Sequence, residues 1–258
     1  MRDILYYDCH RHYYGGKLET LVNVVKSSPY ALKYMCYQSI NYSAIENETA
    51  WMDDKVAYFL IPFVLKETEI GEANKRLLDY SKNKGNMLQV PLVGDDLREY
   101  EKYERLIGLK EHFLIHSYSD KKNRKTFYEY LNQRRKMLLL HCKDNVRLEY
   151  IEWLRENFPN MYIQIAHLGV DRRANDLTRI LLDKYKADDH IFYDISTVIN
   201  EKLLDYAMEN ISSQLLFGSD YPYSPDNNVN YLLNYCKTSN LLCKMNANAE
   251  LIIELTRK

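Results

Sequence analysis

The chain has 258 residues, enough to bury one substantial core; a single α/β barrel of roughly 250 residues and two small domains both fit that length. Apolar residues make up 46 % and charged residues 28 %, the balance of a globular chain rather than a disordered one. A formal net charge of −1 forces no basic face, which argues against nucleic acid or an anionic membrane as partner, and the apolar run 58–65 is far short of the roughly 20 residues of a membrane span.

Strand-like apolar runs alternate along the chain with charged, helix-like segments, the pattern of a parallel sheet built from βα units. The predicted strands are residues 4–9, 56–64, 87–93, 105–110, 137–141, 161–167, 191–195 and 215–219. Several are almost continuously apolar, as expected where a strand is covered on both faces. The first crossover, 17–55, is long and must hold a helix plus an insertion rich in Tyr and Asn. Asp95 and Asp96 precede a short charged helix that ends near Tyr103. Asp144 can N-cap a helix in which Leu148, Ile151, Leu154 and Phe158 recur at helical spacing before Pro159. Residues 176–185 repeat that pattern with Leu177, Ile180, Leu181 and Lys184. Eight strands, seven intervening helical segments and a C-terminal helix predict an α/β protein, a single-domain (β/α)8 TIM barrel over 1–258. Five cysteines without a C-x-x-C pair, and a Met1-Arg2-Asp3 start that leads straight into an apolar run, predict a cytoplasmic chain. Tyr is abundant at 24 residues and reads as amphipathic packing.

In such a barrel the reactive groups gather at the C-terminal ends of the strands. Strand one runs into Asp8-Cys9-His10-Arg11-His12. His10 and His12 are two apart, so in an extended strand both imidazoles face one spot, which is half of a divalent metal site. By themselves they suit two surface histidines better. His141 ends the apolar run Leu138-Leu139-Leu140, and His167 ends the next one in Ala166-His167-Leu168-Gly169. Taken singly, each fits a hydrogen-bonded core histidine. Asp220 follows the last strand in Phe217-Gly218-Ser219-Asp220-Tyr221-Pro222, a turn position that barrel closure brings beside His10 and His12. Five metal-capable residues at one face of four strands make a metal site the joint reading. Lys110 ends strand four at the same mouth; His112 follows on the loop, reads first as loop structure and, sharing Lys110's strand parity, has pocket lining as its alternative. His116 reads as loop structure, Cys9 as outer-layer packing and Cys142 as core. Arg172 and Arg173 read as a solvated helix start, with binding of an acidic substrate as the alternative.

These residues, in this order, resemble the amidohydrolase superfamily, best its amidohydrolase-related (amidohydrolase 2) branch of metal-dependent hydrolases and decarboxylases. The matching segments are Asp8-Cys9-His10-Arg11-His12, Ile107-Gly108-Leu109-Lys110, Leu140-His141, Ala166-His167-Leu168-Gly169 and Phe217-Gly218-Ser219-Asp220-Tyr221-Pro222. Asn246-Ala247-Asn248-Ala249 is similar to the segment that opens the family's last helix. The departures are the insertion after strand one and Lys110-Glu111-His112, where relatives often have lysine, a small or apolar residue, histidine and proline. The resemblance implies one or two divalent metals, one Zn²⁺ first and Mn²⁺ as the alternative. In the one-metal arrangement His10, His12, His141 and Asp220 ligate, and His167 orients or deprotonates water or protonates the substrate. In the two-metal arrangement His10, His12 and Asp220 hold one ion, His141 and His167 the other, and a carboxylated Lys110 bridges. With no Glu at the Lys110 position, one metal is favoured. Lys110 is otherwise a cation for a substrate carboxylate, or a lysine reaching solvent. Asp8 is a candidate partner for the second nitrogen of a ligating imidazole.

The implied activity is hydrolysis of a small carbonyl substrate (ester, lactone or amide) by metal-activated water, with His167, Asp220 and Lys110 as the catalytic set. Nonoxidative decarboxylation of an aromatic or unsaturated acid is the alternative. The deoxyribonuclease-like branch typically has Glu at strand four and Thr-Asp at strand eight, where Lys110 and Ser219-Asp220 stand here. The expected partner is a small molecule, neither nucleic acid nor membrane, and a homo-oligomer is compatible with the sequence.

Overall fold

Eight strands follow one another in chain order: β1 (Tyr6–Tyr13), β2 (Val56–Pro62), β3 (Met87–Gln89), β4 (Gly108–His112), β5 (Met137–His141), β6 (Tyr162–Ile165), β7 (Ile191–Asp194) and β8 (Leu215–Leu216). The computed structural model describes residues 4–15, 22, 23, 26, 53–66, 68–141, 147–169, 176–224 and 226–257. Most of the first crossover with its insertion, and Cys142, Asp144, Arg172 and Arg173, lie outside the described residues. Among those described, the helices are α1 (Ile70–Ser81), α2 (Lys125–Gln133), α3 (Arg147–Asn157), α4 (Asp176–Tyr185), α5 (Glu201–Ile211), α6 (Asp226–Thr238) and α7 (Leu241–Arg257). None of them is long and apolar enough to cross a membrane.

All strand pairs are parallel, β1-β2-β3 in one run and β4 to β8 in another. Bridges from Gln89 to Leu106 and from Leu92 to Lys110 join β3 to β4. On the other side the Cys9 N–H donates to Phe217 O at 2.8 Å, Asp220 N–H to His10 O at 2.7 Å and His12 N–H to Tyr221 O at 2.9 Å. The strands thus close into a (β/α)8 TIM barrel. Strand alternation sorts the core into two layers. Phe59, Ile61, Leu139, Tyr162, Phe192 and Leu216 fill the interior, while Leu60, Leu138, Leu140, Ile163 and Tyr193 face the helices.

Strand β5 and helix α4 have the bounds expected from the sequence. Asp96 caps a 3₁₀ turn (Leu97–Lys102) where a short charged helix is expected, its side chain accepting from the Arg98 N–H. The other strand ends differ, each for a local reason. β1 runs four residues beyond its expected end because it is paired on both sides, which puts His10 and His12 inside the strand. Its register against β2 skips between Asp8 and Arg11, so β1 carries an extra residue there. The bulge also sends Cys9 into the barrel interior beside Phe59 and Ile61, not into the outer layer that alternation with His10 predicts. Leu106 makes only a single bridge, so the β4 ladder starts at Gly108 and ends at His112, with Lys110 in mid-strand. Left-handed backbone at His167 (φ 56°) and Leu168 (φ 53°) ends β6 early and turns the chain into a short 3₁₀ segment, Ala166–Gly169.

Asn246-Ala247-Asn248-Ala249 lies in the middle of α7 and does not open it. The two asparagines pin that helix under the barrel: Asn248 Nδ2 donates to Leu215 O at 2.8 Å, and Asn246 Oδ1 accepts from the Tyr7 N–H at 3.2 Å. The bottom is therefore tied off, and the opening is at the opposite end, where the strands deliver their polar residues.

Candidate metal centre

The β1 bulge delivers two histidines, and both are held by their Nδ1 atoms. His12 Nδ1–H donates to Pro62 O at 2.9 Å, because a carbonyl can only accept. His10 Nδ1–H donates to the Asp194 carboxylate at 2.9 Å. Both neutral rings therefore present a bare Nε2 lone pair. Asp220 faces them, with Oδ1 3.1 Å from His12 Nε2 and 3.4 Å from His10 Nε2. Its backbone is left-handed (φ 52°), a conformation that costs energy in a non-glycine residue and persists where the surroundings enforce it. Gly218 allows the approach: a Cβ there would lie 2.8 Å from His10 Cβ, so a side chain would push β8 off β1.

Three acceptors thus converge within 4.8 Å of one another, all buried. With the imidazoles neutral, no hydrogen lies between them. The charges are set to stay that way. Burial, and then Lys110, pushes His10 down to about 4, and burial lowers His12 as well. Burial would raise Asp220, but the neighbouring His167 and His12 imidazoles outweigh it and hold the carboxyl near about 2. Neutral nitrogens around an ionised carboxylate are a donor set for a divalent cation.

His167 is oriented in the same sense. Its Nδ1–H donates to Ser196 O at 3.0 Å, and its Nε2 lies 4.0 Å from Asp220 Oδ2. Its ring stacks on His10 with centroids 5.0 Å apart. His141 lies one ring further on, 4.8 Å from the His167 centroid and outside the cluster of His10, His12 and Asp220. Among the described residues its buried Nε2 has no hydrogen-bond partner. Burial and the neighbouring His112 ring hold it well below the usual histidine range. Lys110 is fully buried with Nζ 3.4 Å from His10 Nε2, so it points at the centre and not at solvent. His116 is buried loop structure, its Nε2–H donating to Val93 O at 2.8 Å.

The carboxylate that orients His10 is Asp194, not Asp8. Asp8 accepts the backbone N–H groups of Ser219 at 2.9 Å and His10 at 3.3 Å, clamping β8 to β1, and burial raises it to about 6. Asp194 ends β7, and besides the His10 ring it takes the Gln164 amide at 2.8 Å, the His167 N–H at 3.1 Å and the Ser196 hydroxyl. Burial opposes its ionisation, but His10 outweighs burial and keeps the carboxyl well below its usual range. Its sequence signal was a single acid closing the apolar run Ile191-Phe192-Tyr193, the same signal that marked Asp220.

No family model matches this chain, and no curated protein matches it. Solved structures do match. An uncharacterised TIM-barrel protein from Bordetella bronchiseptica is similar at 11 % identity, with a TM-score of 0.66 over 98 % of this chain and 99 % of that one. A putative 2-pyrone-4,6-dicarboxylic acid hydrolase from Pseudomonas putida is similar at 13 % identity, with a TM-score of 0.65 over 97 % of each chain. A dihydroxybenzoic acid decarboxylase from Polaromonas sp., solved with manganese and 2-nitroresorcinol bound, is similar at 14 % identity, with a TM-score of 0.60 over 98 % of each chain. At such identities the likeness is one of fold, and it makes this chain a (β/α)8 barrel over nearly its whole length.

Proposed function

We propose that this chain is a metal-dependent hydrolase of amidohydrolase type, acting on a small ester, lactone or amide in the cytoplasm. The single observation that carries the reading is the convergence of bare Nε2 lone pairs from His10 and His12 on the ionised Asp220, with His167 Nε2 4.0 Å from its other oxygen. Metal-ligating histidines characteristically donate their other nitrogen to a carboxylate or carbonyl, as these three do. His10, His12 and Asp220 would hold the ion, with His141 as fourth ligand. Nitrogen and carboxylate donors suit Zn²⁺ first and Mn²⁺ second. When bound, a divalent ion polarises a carbonyl and lowers the pKa of water to about 7.

The remaining steps belong to side chains. Asp220, ionised far below neutral pH, accepts a proton from water and returns it to the leaving group. His167 Nε2, on the same side, orients that water by accepting a hydrogen bond. Lys110 brings amine donors to the same centre.

Decarboxylation is the second reading, favoured by the manganese-bound decarboxylase of the same fold. It needs an acid that already holds a proton for carbon, whereas resting Asp220 is ionised at neutral pH and gains its proton only from water. A screen of zinc- and manganese-reconstituted protein against lactones, esters, amides and aromatic acids, with carbon dioxide followed in parallel, separates the two. Acid release without carbon dioxide is the expected result; carbon dioxide release would move the assignment to the decarboxylase. Elemental analysis that finds no metal, together with a melting temperature indifferent to zinc, would remove both.

A further inference from the structure

A fifth imidazole at this mouth is held the other way round from His10, His12 and His167. His112 ends β4, opposite His141 in the β4–β5 register, and the two rings pack with centroids 4.4 Å apart. The Leu114 backbone N–H donates to His112 Nδ1 at 3.2 Å, and the His112 backbone N–H donates to His116 Nδ1 at 3.0 Å. An amide N–H can only donate, so both Nδ1 atoms carry lone pairs. For His116 the consequence is visible, since its Nε2–H reaches Val93 O. For His112 the same rule applies: a ring whose Nδ1 accepts carries its proton on Nε2. His10, His12 and His167 show the opposite tautomer. Ligation of a metal through His112 Nε2 would cost the Leu114 hydrogen bond. Left in place, the ring offers the site an N–H.

We propose that His112 is a recognition residue for a carboxylate group on the substrate, its Nε2–H donating to one carboxylate oxygen while Lys110, two residues earlier on the same face of β4, donates to the other. Two donors side by side, one of them on a lysine, match the paired oxygens of a carboxylate. This rests on the reading of the mouth as a substrate site, and it narrows that site to acidic substrates.

The test has two arms. Nitrogen-15 histidine NMR of the metal-free chain should show His112 protonated at Nε2 and His10 and His12 at Nδ1. A His112 proton on Nδ1 overturns the proposal. Calorimetric titration of the zinc-loaded protein with benzoate, with benzamide as the neutral control, should give about tenfold weaker benzoate binding in His112→Phe and a change within about threefold in His112→Gln, whose amide restores a donor. Zinc content should be unchanged in both variants. Unchanged benzoate affinity in His112→Phe, no benzoate binding by the wild type, or loss of zinc from His112→Phe overturns the proposal. If the Phe variant does not fold, the NMR arm and the Gln variant still decide. Failure of the metal reading shows separately, as wild-type protein that takes up no zinc, and benzoate can then be titrated into the metal-free chain.

Discussion

Two buried polar clusters lie one residue apart along β4, and they differ in whether their hydrogen bonds close. Outside the barrel, Glu111 accepts from Arg124 Nη2 at 2.8 Å, Tyr128 OH at 2.8 Å and Tyr150 OH at 2.6 Å. Arg124 also reaches Tyr128 OH at 3.0 Å and Ser117 O at 2.9 Å. Every charge there has a counter-charge and every acceptor a donor. Inside the barrel, behind Lys110, acceptors face acceptors: two imidazole lone pairs and a carboxylate lie 3.1 to 3.4 Å apart. Both clusters are equally buried, so burial does not tell a site from a strut. The first cluster ties β4 to α2 and α3. The second, beside the Lys110 ammonium, is a donor set that could hold a cation. The outer cluster also gives part of the high Tyr content a task, since Tyr128 and Tyr150 supply hydroxyls as well as rings.

Asp220→Asn should break the inner cluster with the largest effect. It keeps the shape but removes the proton acceptor and one ionic ligand, so turnover of any substrate found in the screen should fall on the order of 10³-fold with the melting temperature little changed. Wild-type rates in this variant would take Asp220 out of the mechanism. Glu111→Leu should do the converse. It strands Arg124 in the outer layer and should cost about 4 kcal/mol of stability in urea unfolding, while the folded fraction binds as much zinc as the wild type. Zinc loss in folded Glu111→Leu would show that the two clusters are not separate.

The outer cluster was invisible in the sequence, and the inner one only partly so. Glu111, Arg124, Tyr128 and Tyr150 sit on three elements, and nothing in their spacing says that β4 turns Glu111 toward α2 and α3. His10, His12, His141, His167 and Asp220 were legible because each interrupts or ends an apolar run, where an unpartnered polar group is costly. The barrel was legible for the same reason: β5 and α4 have unmixed periodicity, so their bounds follow from it. Where hydrogen bonding overrides periodicity, the sequence misleads. The β1 bulge moved Cys9 inward, and Asp8 looked like an imidazole partner because proximity in sequence stood in for the β7–β1 approach that makes Asp194 the partner. Imidazole tautomers lie further out of reach, since they depend on whether a carbonyl or an amide meets the ring.

Acid should separate the clusters next. His10 titrates near 4 in the fold against 6.5 unfolded, so between those values the unfolded chain holds a proton that the folded chain lacks, and stability rises with pH. Metal-free protein should therefore lose about 3 kcal/mol through His10 alone as the pH falls from 6.5 to 4, and His12, His112, His116 and His141 shift in the same direction. Asp8 opposes this: raised from 3.8 to about 6, it favours the fold as pH falls through that window. Asp8→Asn should make the acid loss steeper. Urea midpoints of the metal-free wild type and Asp8→Asn between pH 7.5 and 4.5 check both, and a flat profile in Asp8→Asn would mean the imidazoles are charged in the fold.

Lys110 gives the smallest effect and the finest discrimination. Its Nζ lies 3.4 Å from His10 Nε2, and its positive charge helps depress that ring. An amine in this position competes with a metal ion for the same lone pair. Lys110→Gln removes the charge, so zinc should bind several-fold more tightly, a gain of about 1 kcal/mol, with stoichiometry unchanged at about one per chain. A carboxylated lysine would act in the opposite direction, because it would be a bridging anion between two ions. Wild-type protein would then hold about two equivalents, and Lys110→Gln would lose one. The sign of the change in zinc affinity, read with the equivalents bound, therefore decides between an amine that limits the centre to one ion and a carbamate that builds a second.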